Sequence, residues 1–164
     1  MTLHSVKTSM ELTDSDQLIL SPSVADVALA ATPGRSWVIK PLHDRIAGAY
    51  SWKSVNWSAE QWRRRLTNPR VRYATVTIAG QAAGMVEFES QPQSQVEISM
   101  FGLLPEFNQP DVANYAFSLA SRAAWQLPDA RNALPKRVWL NLPDLCSVPG
   151  IDYEAHGYAI TCPA

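Results

Sequence analysis

Apolar and polar residues alternate in three short runs through the middle of the chain, and after Pro105 the spacing lengthens to that of a helix. Arg70 to Ile78 alternates and is rich in Val, Thr and Tyr, which predicts a strand. Ala79-Gly80-Gln81 is a tight turn, Ala83 to Glu89 the returning strand, Gln91 to Ser94 a polar turn, and Val96 to Phe101 a third strand. Val112, Tyr115, Ala116, Leu119, Ala120, Ala123 and Ala124 then recur at three- and four-residue steps, the stripe of an amphipathic helix ending near Gln126. Arg137 to Leu142 reads as a fourth central strand, Tyr153 to His156 as a helical turn, and Tyr158 to Thr161 as a last strand. Upstream, a strand is expected near Ser9–Leu12, a short helix over Val24 to Ala31 after Ser21-Pro22-Ser23, and another helix between Trp37 and Ala47. Ser58 followed by Gln61 is a capping box; it opens a helix through Trp62 and Leu66 that Asn68-Pro69 stops. Three strands, a helical crossover and a further strand imply an α/β (α+β) fold: a mixed, mostly antiparallel sheet flanked by helices.

Composition narrows the class. At 164 residues the expectation is a single domain over 1–164, large enough for its own core without disulfide or metal staples. Fourteen basic and 15 acidic residues leave a net charge of −1, without the basic excess of a nucleic-acid binder. No apolar run has the length of a membrane span, and the first residues lack a secretory signal. Cys146 and Cys162 have neither CxxC nor metal-ligand spacing, so no metal is expected. A reduced, cytoplasmic protein is the expectation.

The order of elements, and then particular residues, resemble the GNAT acyltransferase superfamily. Residues 83–107, AGMVEFESQPQSQVEISMFGLLPEF, look like its two central strands and the loop exit, with Val96 to Phe107 the strongest part. Residues 137–158 resemble the later strand and the Tyr-x-x-x-Gly-aromatic ending, here Tyr153 to Tyr158. Gly48-Ala49-Tyr50-Ser51-Trp52 through Trp57 and Gln61-Trp62 is similar to the aromatic substrate segment of one bacterial subgroup. The resemblance covers about residues 45–160 and implies acetyl-CoA, or another acyl-CoA, as co-substrate and a small-molecule amine as acceptor. Relatives are often homodimers. One stretch departs from the pattern. Where the family places a basic, glycine-rich turn that cradles the pyrophosphate, this chain has Asn108-Gln109-Pro110-Asp111-Val112-Ala113-Asn114, without glycine or arginine. Pro110 removes an amide donor and Asp111 sets a negative charge at an anion's place, although both also make a good helix start.

Amine acyl transfer needs a base, oxyanion donors and an acid. Glu97, mid-strand among apolar neighbours and at the place of a strand glutamate in many relatives, is the expected base; partial desolvation would favour that role. Alternation puts Val96, Ile98 and Met100 on one face and Glu97, Ser99 and Phe101 on the other. Tyr153 is the acid that the resemblance implies, or else a core aromatic. By the same resemblance the cofactor contacts are Phe101, Gly102 and Leu103, then Asn108, Gln109, Val112, Ala113 and Asn114, and Asn141. Tyr50, Trp52, Trp57 and Glu87 are expected at the acceptor, with core packing the plain alternative for the aromatics and a solvated strand face for Glu87 and Glu89. His43-Asp44-Arg45 is expected to point in different directions, Arg63-Arg64-Arg65 to form a solvated helix face, and His156 to end a helix. A non-catalytic ligand- or protein-binding module on the same fold is the competing reading, and an enzyme using a donor without a pyrophosphate is the third.

Overall fold

In the computed structural model, which describes residues 8–34, 36–142 and 150–161, seven strands form one sheet. They are β1 (Ser9–Leu12), β2 (Val27–Thr32), β3 (Val71–Ile78), β4 (Gln81–Gln91), β5 (Gln95–Leu103), β6 (Arg137–Asn141) and β7 (Ala159–Ile160), in the order β2-β3-β4-β5-β6-β1-β7. Neighbours are antiparallel except β5 and β6, which the long crossover makes parallel. The crossover is helix α3 (Pro110–Trp125), which lies on one face; α1 (Ile39–Tyr50) and α2 (Ala59–Thr67) lie on the other.

Local chemistry explains most boundaries. The capping box at α2 is formed: the Gln61 amide donates to Ser58 Oγ at 3.1 Å, and the Ser58 amide to Gln61 Oε1 at 2.8 Å. Ala79 and Gly80 both have positive φ (50° and 80°), the two-residue hairpin that joins β3 to β4 through the pair Ile78↔Gln81. Ala113, Ala116, Phe117, Ala120 and Ala124 of α3 bury against Val86, Phe88, Val96, Ile98, Phe101 and Leu103. Small alanines let the helix lie close to the sheet, and Phe117 fills what remains, edge-on to Phe101 at 5.5 Å.

Two expectations need correction. Val24 to Ala31 is not a helix: residues 27–32 form β2, paired antiparallel with β3 from Val27↔Ile78 to Thr32↔Tyr73. Its alanines favour a helix locally, but an open edge of β3 offers a ladder for the whole segment. The simple alternation along β5 also fails. The register with β4 shifts between Glu87 and Phe88, so that Ser99 is an extra residue between Ile98 and Met100. Past this bulge the faces exchange. Phe101 joins Val96 and Ile98 under α3, while Met100 turns to Ile46, Trp52 and Met85 under α1.

Candidate functional site

The bulge sits where β5 leaves its parallel partner. β5 and β6 pair only over Gln95↔Arg137, Val96↔Val138 and Glu97↔Trp139. Beyond Glu97 the described part of β6 follows β1, through Leu140↔Met10 and Asn141↔Ser9, and β5 runs on to Leu103 with no ladder partner on that side among the described residues. Among the described residues the backbone donors and acceptors of this edge therefore open into a gap between parallel strands. Glu97 occupies the last paired position, half-buried, with Trp139 beside it. Asn141 lies on the same face of β6 as Trp139, and its Oδ1 accepts from Ser9 Oγ at 2.6 Å. On the α3 side of the sheet, Tyr153 packs edge-on against Phe117 with ring centroids 5.1 Å apart. Phe101, Gly102 and Leu103 form the free length of the strand. Gly102 has to be glycine because a Cβ there would come within 2.7–2.8 Å of Trp52 and Ile46 side-chain carbons.

Next to this edge, α1 and α2 enclose a charged network. Glu87 is fully buried rather than solvated. Its Oε1 accepts from Arg65 Nη2 at 2.6 Å, Arg65 Nε at 3.1 Å and Ser99 Oγ at 2.8 Å; its Oε2 accepts from the Tyr73 hydroxyl at 2.6 Å. Arg65 also donates to Glu89 at 2.9 Å. Burial, with the Glu87 charge added, pushes the Tyr73 hydroxyl well above its usual range, so it stays a donor. Burial opposes the Arg65 charge, but the two carboxylates outweigh it and raise the guanidinium further. Glu87 thus holds Arg65, Tyr73 and the bulged Ser99 in place and leaves no oxygen for a ligand. Arg63 and Arg64 remain on the solvated face, paired with Glu60, whereas Arg65 turns inward.

The aromatic segment is mostly core. Trp52 is 8% exposed, and Trp62 packs edge-on to His43 at 4.4 Å and to Trp57 at 5.1 Å. His43 and Asp44 do not point apart as expected: His43 Nδ1 lies 3.0 Å from Asp44 Oδ1, and Nε2 lies 2.7 Å from Ser54 Oγ. Burial lowers the His43 pKa, despite the Asp44 contact, so a neutral ring donates to Asp44 and accepts from Ser54. The order of the three groups is that of a nucleophile relay, but Ser54 and His43 are both buried behind indoles, and the chain of bonds ties α1 to the turn after it. Tyr50 and Trp57 are the aromatics of this segment that keep some exposure, and Asn108 Nδ2 donates to the Tyr50 hydroxyl at 3.1 Å.

The first turn of α3 is where a donor's pyrophosphate has to sit if acyl-CoA is used as the resemblance implies. The residues there do not fit it. Pro110 has no amide hydrogen, and the Gln109 amide is spent on Phe107 O at 2.9 Å. Asp111 adds a negative charge at that end. Asn114 is spent on protein: Nδ2 donates to Pro110 O and to Gly150 O, each at 2.7 Å, and Oδ1 accepts from the Asp152 amide at 3.1 Å. Of the first turn, Val112 and Ala113 face inward rather than out, Ala113 fully buried and Val112 packed on the core. His156 is buried too, not merely a helix end; its ring nitrogens lie 3.0 Å from Ile19 O and 3.0 Å from Asn114 Oδ1. Cys146 and Cys162 lie outside the described residues. Among the described residues no group of three or more His, Cys, Asp or Glu is placed to hold a metal, and no helix is long and apolar enough to cross a membrane.

No protein-family model and no curated protein sequence matches the chain. Solved structures do. A GCN5-related N-acetyltransferase from Kribbella flavida superposes with a TM-score of 0.62 at 15% identity, over 97% of this chain and 56% of that one. A conserved protein of unknown function from Staphylococcus epidermidis gives 0.59 at 15% identity, over 94% and 57%. A GNAT-family protein from Novosphingobium aromaticivorans gives 0.51 at 18%, over 94% and 59%. The chain therefore has the GNAT fold, and it spans a little over half the length of these three structures.

Proposed function

We propose that the chain is an N-acyltransferase of the GNAT type, which moves an acetyl or related acyl group from a thioester onto the primary amine of a small molecule, and that the donor's phosphates are not held at α3. The observation that supports this is the gap beyond Glu97 and Trp139, along a β5 edge that no described strand pairs. A thioester arm carrying amides can add to such an edge as an extra strand. In this reading Glu97 takes a proton from the ammonium, the amine nitrogen bonds to the thioester carbon, and the carbon–sulfur bond breaks. Strand amides over Phe101, Gly102 and Leu103 steady the oxyanion, Tyr153 gives its proton to the leaving sulfur, and the second proton shed by the acylated nitrogen restores the Tyr153 hydroxyl. Tyr50 and Trp57 wall the acceptor, Trp52 fixes the strand at Gly102, Glu87 positions Arg65 and Ser99, and Asn141 lies along the donor arm.

The test is acyl transfer from acetyl-CoA and from S-acetyl-pantetheine to a panel of primary amines, for the wild type and Glu97→Gln. Transfer that the variant slows by roughly 100-fold or more, the usual worth of a general base, supports the reading. No transfer from either donor overturns it. The closed first turn of α3 would then favour a second reading, a non-catalytic GNAT-fold module that binds a ligand or a partner protein.

A further inference from the structure

A cavity of about 510 Å³ lies between the connection 19–24, the first turn of α3 and residues 152–156. That is within the roughly 300–1,000 Å³ usual for small-molecule sites. One wall is apolar: Ile19, Leu20, Pro22 and Val24 line it, and Ile19 and Leu20 remain 59% and 43% exposed. Two carboxylates, Asp111 and Asp152, also line the cavity. Among the described residues no lysine or arginine lines the cavity.

The remaining polar groups are already spent. Asn114 and His156 fasten the connection and the 150–156 segment to α3 through the bonds given above. Asp152 Oδ1 accepts from the Ala155 amide at 3.1 Å, leaving its second oxygen free of described partners. Asp111 forms no hydrogen bond or ion pair with any described residue. The helix terminus contributes about half a positive charge, which one carboxylate more than offsets and two clearly outweigh. A phosphate or carboxylate ligand would meet like charge here, whereas a cation would find partners that are open and an apolar wall for its body.

We propose that this cavity binds a small organic cation, a primary ammonium or guanidinium on an apolar body, with the charge toward Asp111 and Asp152 and the body against Ile19, Leu20, Pro22 and Val24. The site is separate from Glu97 and independent of the transferase reading. It is tested by calorimetric titration of the full chain with tryptamine, with tryptophol as the neutral isostere and indole-3-acetate as the anionic one. Asp111→Asn, whose fold is checked by thermal melting, and Glu97→Gln are titrated in parallel. Expected are saturable binding of tryptamine about tenfold or more tighter than that of the other two, a loss of at least about fivefold in Asp111→Asn, and no change in Glu97→Gln. Absent binding, equal binding of indole-3-acetate, or an Asp111→Asn variant that binds as the wild type does would overturn the proposal. Loss in Glu97→Gln alone would also overturn it, by placing the cation in the acceptor site, and would leave the transferase reading standing.

Discussion

Under α1 and α2 the sheet buries a carboxylate, Glu87, with two residues of α2 and β3 and one bulged serine donating to it; at the start of α3 the polar side chains instead bond backbone carbonyls and seal one segment against another. Both regions satisfy their buried groups, but with different consequences. The Arg65–Glu87–Tyr73 network fixes the bulge at Ser99, and the bulge aims the free edge of β5. The α3 turn lacks an amide hydrogen at Pro110, spends the Gln109 amide and the Asn114 side chain on protein, and leaves the Asp111 carboxylate exposed. One region holds the bulged strand of the GNAT fold in place, and the other sets a negative charge at the start of α3.

The sharpest way to break this comparison is to remove Glu87. Glu87→Ala leaves a largely buried guanidinium and a buried hydroxyl without their partner, so the expected loss is about 3–5 kcal/mol. Asp111→Ala in the other region should cost less than about 1 kcal/mol, the helix-terminus charge effect alone. Urea midpoints at unchanged slope measure both. Comparable losses would mean that the two regions carry similar structural weight. A smaller effect is expected at Gly102. Gly102→Ala forces a methyl group into Trp52 and Ile46, an overpacking cost of about 1–3 kcal/mol. Its structural signature is displacement of Trp52, followed through indole fluorescence.

The smallest effect is a pH dependence confined to the α1–α2 side. His43 is buried with its pKa below the usual 6.5, so the unfolded chain takes up the proton first as the pH falls. The stability that His43 contributes is complete above about 6.5 and declines from there toward its lowered folded value, by at most about 1.4 kcal/mol per pH unit. His43→Gln should flatten that part of the profile. Asp44 acts lower: its Lys40 and His43 bonds outweigh its desolvation and hold it below 3.8, so its share is lost as the pH falls past that value. An unaltered slope between pH 6.5 and 5 in His43→Gln would remove His43 from the account.

Much of the fold was legible because its signals are local. Ser58 and Gln61 cap α2 within three residues, Ala79-Gly80 sets the hairpin by its own dihedral angles, and the apolar stripe of α3 is contained in a single helix. What escaped notice depends on distant partners. The Ala-rich residues 27–32 are a strand because β3 pairs with them. The partner of Glu87 is 22 residues away on α2, and nothing in the spacing of Arg63-Arg64-Arg65 tells which arginine turns inward. Likewise, alternation along β5 reads as unbroken until β4 shows that Ser99 is the extra residue. The departure at Asn108 to Asn114 was visible as missing glycine and arginine, but the locking of Asn114 to Gly150 and Asp152 required the fold.

The central claim, that the edge of β5 receives a donor arm while α3 does not grip its phosphates, is tested most directly by measuring the affinity of acetyl-CoA against that of S-acetyl-pantetheine in one calorimetric series at low and moderate salt. The account expects the two to bind within about threefold of each other, with little dependence on salt. Acetyl-CoA binding tens of times tighter and weakening steeply with salt would contradict it, since the phosphates would then be held after all.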